Sequence, residues 1–151
     1  MKNTIRKIGV ALLITIAAGV FTACHKDSSS DECKTDMQHV AGAYRLTAAK
    51  YKTSTTAAEQ DFLPFMDACE KDDKIELSAN GTYAYSDIGE KCAPDNSSTG
   101  TWSIKENTFV CKENDILDQG TISTFDCRQL VIYRDNIIVQ GDRMTLTLTK
   151  Q

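Results

Sequence analysis

The side chains best suited to acid–base or nucleophilic catalysis are scarce in this chain of 151 residues, which has two histidines. His25 lies in a polar N-terminal stretch, so a Ser-His-Asp or Cys-His arrangement would have to use His39, which precedes the first predicted strand. No G-x-S-x-G or H-E-x-x-H motif is present, and the eight glycines are scattered singly instead of forming a phosphate-binding loop. The sequence therefore predicts that the protein is not an enzyme and has no cofactor.

A group of acidic residues is the candidate for metal chemistry. Asp67, Glu70, Asp72 and Asp73 are close in the sequence, and carboxylate oxygens are ligands that calcium prefers. The segment lacks the D-x-[DN]-x-[DN]-G loop, and carboxylate clusters without such a motif are usually solvated turns. No two cysteines have the spacing of zinc ligands, and no C-x-x-C redox motif occurs. We therefore predict no metal site.

The N-terminus has the order of features that is typical of a secretory signal. Three basic residues lie within the first seven, and residues 8–21 are almost wholly apolar, yet shorter than the ~20 residues that span a bilayer. The run ends in Phe-Thr-Ala-Cys, which resembles the bacterial lipobox, where the cysteine is lipidated and becomes the mature N-terminus. Residues 1–23 are thus predicted to be a lipoprotein signal peptide and Cys24 the lipid-bearing residue. The alternative is an ordinary secretory signal with an incidental Cys24.

Processing would make the protein clearly acidic. The whole chain has 17 basic and 21 acidic residues, a net charge of −4. Residues 1–23 hold three of the basic residues and no acidic one, so the mature chain would have 14 basic and 21 acidic residues, a net charge of −7. A net negative charge does not favour binding to nucleic acid, and it opposes binding to anionic membranes. The lipid would therefore supply the membrane anchor.

Residues 24–38 begin with a polar, serine-rich stretch and are predicted to be a lipidated tether. By resemblance to Gram-negative sorting rules, His25 directly after the anchor, in place of aspartate, favours an outer-membrane lipoprotein. Whether the protein faces the periplasm or the outside stays open.

Residues 39–151 show the two-residue alternation of β-strands and are predicted to form one all-β domain. On the first strand, Tyr44, Leu46 and Ala48 are expected to share one face. Asn80-Gly81 is a strong hairpin signal, because both residues can adopt positive φ. The pattern predicts eight strands in up-and-down order, at 42–52, 74–79, 82–86, 99–105, 108–112, 120–125, 128–133 and 143–149.

One segment after the first strand, residues 57–73, lacks this alternation. We predict a short helical insert over about 64–69, with its proline in the first turn, where proline is tolerated. Phe62, Phe65 and Met66 would then pack onto the sheet or over one end of the barrel. A plain irregular loop is the equally supported alternative.

An ordered set of short motifs from about residue 40 to 150 resembles the lipocalin-like domain of small bacterial lipoproteins. The set consists of Gly42-Ala43-Tyr44, Cys69 to Asp73, Asn80 to Tyr83, Cys92, and Ser98 to Ser103. The resemblance implies an eight-stranded antiparallel up-and-down barrel with a G-x-W motif in the first strand. Tyrosine replaces the tryptophan of that motif in Gly42-Ala43-Tyr44.

Five cysteines remain once Cys24 is assigned to lipid, and they indicate an oxidising compartment. The resemblance implies a disulfide between Cys69 and Cys92. Cys111 and Cys127 lie near the ends of neighbouring predicted strands, so we expect them to form the second pair. Cys33 is then left as a free thiol or a link in a dimer, or it pairs with Cys111 or Cys127 instead.

The aromatic residues lead to two hypotheses for function. A barrel of this size is either filled by side chains or holds one small ligand. We take Tyr44, Tyr83, Tyr85 and Trp102 as candidate ligand-binding residues, although packing accounts for most aromatic positions. The first hypothesis is a lipid-anchored lipocalin-like protein of the cell envelope that binds a small hydrophobic ligand. The alternative is an envelope module with a filled barrel that binds a protein or glycan partner.

Overall fold

Nine strands and three short helical segments make up residues 33–151, the part of the chain that the computed structural model describes. The helical segments are α1 (Met37–Val40), a 3₁₀ turn (Leu63–Phe65) and α2 (Ala68–Lys71). The strands are β1 (Gly42–Lys52), β2 (Gln60–Asp61), β3 (Lys74–Leu77), β4 (Thr82–Ser86), β5 (Ser98–Lys105), β6 (Thr108–Cys111), β7 (Gly120–Phe125), β8 (Gln129–Asp135) and β9 (Arg143–Lys150). The predicted signal peptide 1–23 and the predicted lipid-bearing Cys24 lie outside the described residues.

Antiparallel pairing of every strand with its neighbours closes the sheet into a barrel. The order is β2-β1-β3-β4-β5-β6-β7-β8-β9, and β1 also pairs with β9 along most of its length. Eight strands form the wall, and β2 is a two-residue addition beside the end of β1. The predicted all-β, up-and-down barrel is confirmed. None of the helices within residues 33–151 is long and apolar enough to cross a membrane.

The two ends of the barrel differ. At the closed end, α1 lies over the start of β1, and the tight turns 78–81, 106–107 and 126–128 connect neighbouring strands. The Tyr44 hydroxyl donates to the Val40 carbonyl there, and Lys150 Nζ donates to the His39 carbonyl across 2.8 Å. The longer connections 53–73, 87–97, 112–119 and 136–142 lie at the other end, which we call the open end.

The Asn80-Gly81 hairpin forms as predicted, but only one of its two turn residues has a positive φ. Gly81 has a positive φ of 88°, and Asn80 is not among the residues with positive φ. Ser78 accepts a hydrogen bond from the Gly81 N–H at 2.9 Å, and the Asn80 side chain accepts one from the Thr82 N–H at 3.0 Å. Asparagine therefore acts through its side-chain oxygen, and glycine alone supplies the left-handed backbone.

A β-bulge in β1 changes which side chains point inward. The pairing with β9 skips one residue between Leu46 and Ala48, so Thr47 is an extra residue on this strand. A bulge of one residue shifts the alternation of side chains by one position. Tyr44 before the bulge and Ala49 after it are both fully buried, whereas Ala48 is only partly buried. The expectation that Ala48 shares the face of Tyr44 is wrong for this reason.

The predicted helix over 64–69 is divided into two shorter pieces. The 3₁₀ turn has its proline in the first turn, and α2 begins after Asp67, whose backbone is extended. The Glu70 carboxylate accepts a hydrogen bond from the Asp67 N–H at 3.3 Å. The helical insert is confirmed, but Met66 and Asp67 both have extended backbones, which prevents one continuous helix.

Two disulfides and one thiol account for the cysteines within residues 33–151. Cys69 bonds to Cys92, as the family resemblance implied, and so joins α2 to the connection between β4 and β5. Cys33 bonds to Cys127, and Cys111 is a fully buried free thiol. The expected Cys111–Cys127 pair is therefore wrong. Cys111 is the last residue of β6, which runs towards the open end, whereas Cys127 follows β7, which runs towards the closed end. Because these neighbouring strands are antiparallel, the two cysteines lie at different ends of them.

Candidate functional site

A cavity of about 400 Å³ occupies the open end of the barrel. Its size is within the ~300–1,000 Å³ range of small-molecule sites. The residues that line it come from the barrel wall, from the segment between β2 and β3, and from two loops. They are Leu46, Ala49, Phe62, Met66, Glu70, Asp73, Ile75, Tyr85, Asn96, Ser98, Glu113, Asn114, Asp115, Ile116, Leu117, Met144, Leu146 and Leu148.

Inward-facing aliphatic residues form the wall and floor of the cavity. Leu146 and Leu148 come from β9, where alternate residues are buried, and Ile75 comes from β3 on the other side of β1. Leu46 and Ala49 reach the cavity from opposite sides of the bulge at Thr47. The alanine contributes a small side chain at a fully buried position, so space remains in front of it.

The segment between β2 and β3 covers the gap where β1 and β3 separate. β3 pairs with β1 only at residues 42–44, whereas β2 pairs with it at Lys50 and Tyr51. Phe62 and Met66 from this segment line the cavity, which confirms the expectation that they pack over one end of the barrel. Phe65 differs from that expectation, because it is 77% exposed.

One side of the cavity is polar and contains a buried carboxylate, Asp73, that accepts two hydrogen bonds. Asp73 is 3% exposed, accepts a hydrogen bond from the Tyr85 hydroxyl at 2.5 Å, and accepts another from the Ile88 N–H at 3.1 Å. Burial raises the pKa of Tyr85 well above its usual value, and the hydrogen bond to Asp73 and the negative charges of Asp73 and Glu70 raise it further. Both carboxyl groups that line this side of the cavity, Glu70 and Asp73, are acidic.

The loop between β6 and β7 forms the opposite rim. Asn114 donates to the Tyr83 hydroxyl at 2.7 Å, and its side-chain oxygen accepts from the Leu117 N–H at 2.9 Å. Leu117 is buried, whereas Ile116 is 52% exposed. Arg134 of β8 donates to the Asp115 carbonyl. The loop is thus bonded to the wall on both sides and presents carboxylates at its tip.

Every charged residue that lines the cavity is acidic. Two of these residues, Glu70 and Asp73, follow one another closely at α2, and the other two, Glu113 and Asp115, belong to the β6–β7 loop. None of the four takes part in an ion pair with another described residue. The cavity has an apolar interior and an acidic rim.

Of the four aromatic residues predicted to bind a ligand, Tyr85 alone lines the cavity. Tyr44 is fully buried beneath α1, and Trp102 donates from Nε1 to the Ser78 carbonyl at 2.9 Å at the closed end. Tyr83 is fully buried and does not line the cavity, and its hydroxyl accepts a hydrogen bond from the Asn114 side chain. The expectation that these three line the cavity needs correction, because the closed half of the barrel is filled by side chains. Trp102 stacks on Phe109 with a centroid distance of 5.7 Å in that packed region.

Several residues that line the cavity have no recognisable signal in the sequence. The acidic group at residues 67–73, which the sequence presents only as a candidate for calcium, supplies Glu70 and Asp73. Asn96, Asn114 and Asp115 lie in connections without periodicity, so neither pattern nor motif indicated them. Ala49 could have been found only by recognising the bulge.

The remaining candidates for chemistry lie apart from the cavity. His39 is in α1 at the closed end, and its Nδ1 lies 2.7 Å from an oxygen of Asp36. Within residues 33–151, no group of three or more His, Cys, Asp or Glu side chains is arranged to hold a metal ion.

The closed eight-stranded barrel, with a helix over one end and an apolar cavity at the other, defines the class of fold. A family model described as a lipocalin-like domain matches residues 40–132, more than half of the chain. The chain belongs to this lipocalin-like domain family. Neither a curated protein nor a solved structure matches it.

Proposed function

We propose that this protein binds a small hydrophobic molecule in the cavity at the open end of its barrel, at the cell envelope. The observation that carries the proposal is the cavity of about 400 Å³, whose interior is lined by aliphatic and aromatic side chains. Membership of the lipocalin-like domain family supports the same role. The proposed role is binding without catalysis.

A neutral probe tests this proposal without involving charge. A chain that starts at His25 retains every described strand, both disulfides and the whole core, and lacks the apolar N-terminal stretch. We expect 1-decanol to raise the melting temperature of this chain. A ligand at 100 times its dissociation constant stabilises a protein by about 2.7 kcal/mol. Absence of any stabilisation by decanol and by other neutral apolar probes would refute the proposal.

A second candidate function, binding of a protein or glycan partner, is favoured by a different observation. Phe65, Ile116, Ile138 and Val139 are large apolar residues that are more than half exposed, and all belong to connections at the open end. Exposed apolar groups of this kind mark interaction sites when they form a continuous patch. The cavity argues against the filled barrel that this alternative assumed, so ligand binding is the better-supported function.

Lipid anchoring and the outer membrane are also part of the proposal. Their support is the apolar stretch that ends in Cys24, together with two disulfides that fit an oxidising compartment. Metabolic labelling with a radioactive fatty acid should mark the wild-type protein and not Cys24→Ser. Labelled protein should fractionate with outer membranes. Incorporation into the Cys24→Ser variant, or none into the wild type, would contradict the assignment.

A further inference from the structure

We propose that the ligand carries a positive charge, as an alkylamine or alkylguanidine does, and that its cationic head lies at the acidic rim of the cavity. This inference rests on the proposed function, because it assigns a charge to the molecule that the cavity holds. The apolar part of such a ligand would occupy the aliphatic interior, and its head would lie between Glu70 and the β6–β7 loop.

The carboxylates reach the rim from two separate parts of the chain. Glu70 of α2 accepts one hydrogen bond, from the Asp67 N–H at 3.3 Å, which leaves most of its lone pairs available. Glu113 and Asp115 are exposed on the other side of the cavity and form no ion pair with the described residues. A charge placed between these segments would face anionic groups on both sides.

The rim offers a ligand charged hydrogen-bond acceptors, because the carboxylates of Glu70, Glu113 and Asp115 can accept hydrogen bonds and cannot donate them. Ammonium and guanidinium groups are donors only, whereas a carboxylate is an acceptor only.

No basic residue among those described lines the cavity, and two basic residues beside the β6–β7 loop are engaged with the protein. Lys112 lies 3.4 Å from a carboxylate oxygen of Asp118, and Arg134 donates to the Asp115 carbonyl. Neither side chain lines the cavity. A fatty-acid carboxylate at the rim would therefore meet Glu70, Asp73 and the loop carboxylates with no cation in the described cavity lining, and like charges at close range in a partly desolvated site repel strongly.

Three probes with the same ten-carbon chain separate charge from hydrophobicity. Decylamine is protonated at pH 7, since alkylamines titrate near 10.4, whereas 1-decanol is neutral and decanoate is anionic. We expect calorimetric titration of the chain from His25 at low salt to show decylamine binding at least about tenfold more tightly than decanoate, or ~1.4 kcal/mol. Added salt should weaken decylamine binding and leave decanol binding unchanged.

Substitution at the rim has a matched control. Glu113 and Glu106 are both exposed glutamates with positive φ, at 72° and 55°, but Glu106 lies in the β5–β6 turn at the closed end. The double variant Glu113→Gln, Asp115→Asn should weaken decylamine binding at least about threefold and leave decanol binding unchanged, because it removes charge and keeps shape. Glu106→Gln should change neither.

The outcomes distinguish the two proposals. Binding of decanol without preference for decylamine over decanoate would overturn the charge assignment and leave the proposed function standing. An equal effect of the double variant on decylamine and decanol would also overturn the charge assignment. Failure of all three probes to bind would refute the proposed function and this inference together.

Discussion

The Tyr51 hydroxyl donates a hydrogen bond to Oδ2 of Asp142 across 2.8 Å and so joins the end of β1 to the connection before β9. Asp142 is fully buried, and its two oxygens also accept from the backbone N–H groups of Ile137, Ile138 and Val139 at 2.7–2.9 Å. One carboxylate thus organises the whole β8–β9 connection at the open end.

Asp142 should make stability depend on pH in acid. Burial acts to raise its pKa, but the backbone donors of Val139 and its neighbours and the Tyr51 hydroxyl outweigh burial and hold the pKa below its ordinary value. A depressed folded-state pKa stabilises the protein above the unfolded-state pKa of about 3.9, and this stabilisation is lost as the pH falls through the folded-state value. Asp142→Asn should therefore melt lower than the wild type at pH 7.

Thermal unfolding between pH 7 and pH 2 checks this prediction. The gap between the two melting temperatures, which should be at least about 3 °C at pH 7, should narrow below about pH 4. Tyr51→Phe removes one hydrogen-bond donor and keeps the Asp142 carboxylate. At pH 7 its melting temperature should therefore lie closer to that of the wild type than the melting temperature of Asp142→Asn does. A gap that stays constant down to pH 2 would contradict the assigned role of Asp142.

The cysteine pairing predicts which thiol is free. Burial raises the pKa of the Cys111 thiol to about 12, so in the folded protein Cys111 should be neither ionised nor accessible at pH 8. Iodoacetamide should leave it unmodified until denaturant is added without reductant. Peptide mass spectrometry should then find the label on Cys111 and on none of the four bridged cysteines. A label on Cys33 or Cys127 would show that the pairing is different.

Phe109 should be an essential part of the packed closed half. It is fully buried and stacks on Trp102, so Phe109→Ala should lower the free energy of unfolding by about 3–5 kcal/mol. Urea unfolding followed by the fluorescence of the chain's single tryptophan measures the change directly. Ile138→Ala is the control, because Ile138 is 65% exposed and its truncation should cost no more than about 0.5 kcal/mol. Similar losses in both variants would contradict this account of the core.

The bulge in β1 predicts that substitution of only one of two adjacent alanines affects ligand binding. Ala49 faces the cavity, so Ala49→Phe should fill part of the space and weaken decanol binding at least about tenfold. Ala48 is on the other face, and Ala48→Phe should leave binding within about twofold, since no cavity volume changes. Circular dichroism would verify that both variants remain folded. The reverse order of effects would show that the strand has no shift at Thr47.

Local residue patterns are sufficient to predict most strands of the barrel wall. The alternation along segments such as 143–149 and the Asn80-Gly81 pair depend on neighbouring residues only, and both correspond to real elements. The phase of β1 after Thr47 was not predictable in this way. A bulge is set by the pairing of β1 with β9, about a hundred residues away, and leaves no mark in the local pattern.

The candidate site was less accessible to sequence reasoning than the fold. Its interior follows from strand alternation, but its rim depends on how α2 and the β6–β7 loop meet above the barrel. Phe62 and Met66 were correctly expected at one end of the barrel, because apolar residues in an insert need a surface to cover. Trp102, a candidate ligand-binding residue from the sequence, lies in the filled half of the barrel, because aromatic character alone does not distinguish a packed interior from an open one.

The Cys33–Cys127 disulfide has a consequence for how the protein would stand on a membrane. Cys127 lies in a turn at the closed end, so the N-terminal segment is fastened to the end of the barrel opposite the cavity. Nine residue steps separate Cys24 from Cys33, a reach of at most about 30 Å. With lipid on Cys24, the tether would be attached at the closed end of the barrel, so it would leave the opening of the cavity at the opposite end unobstructed.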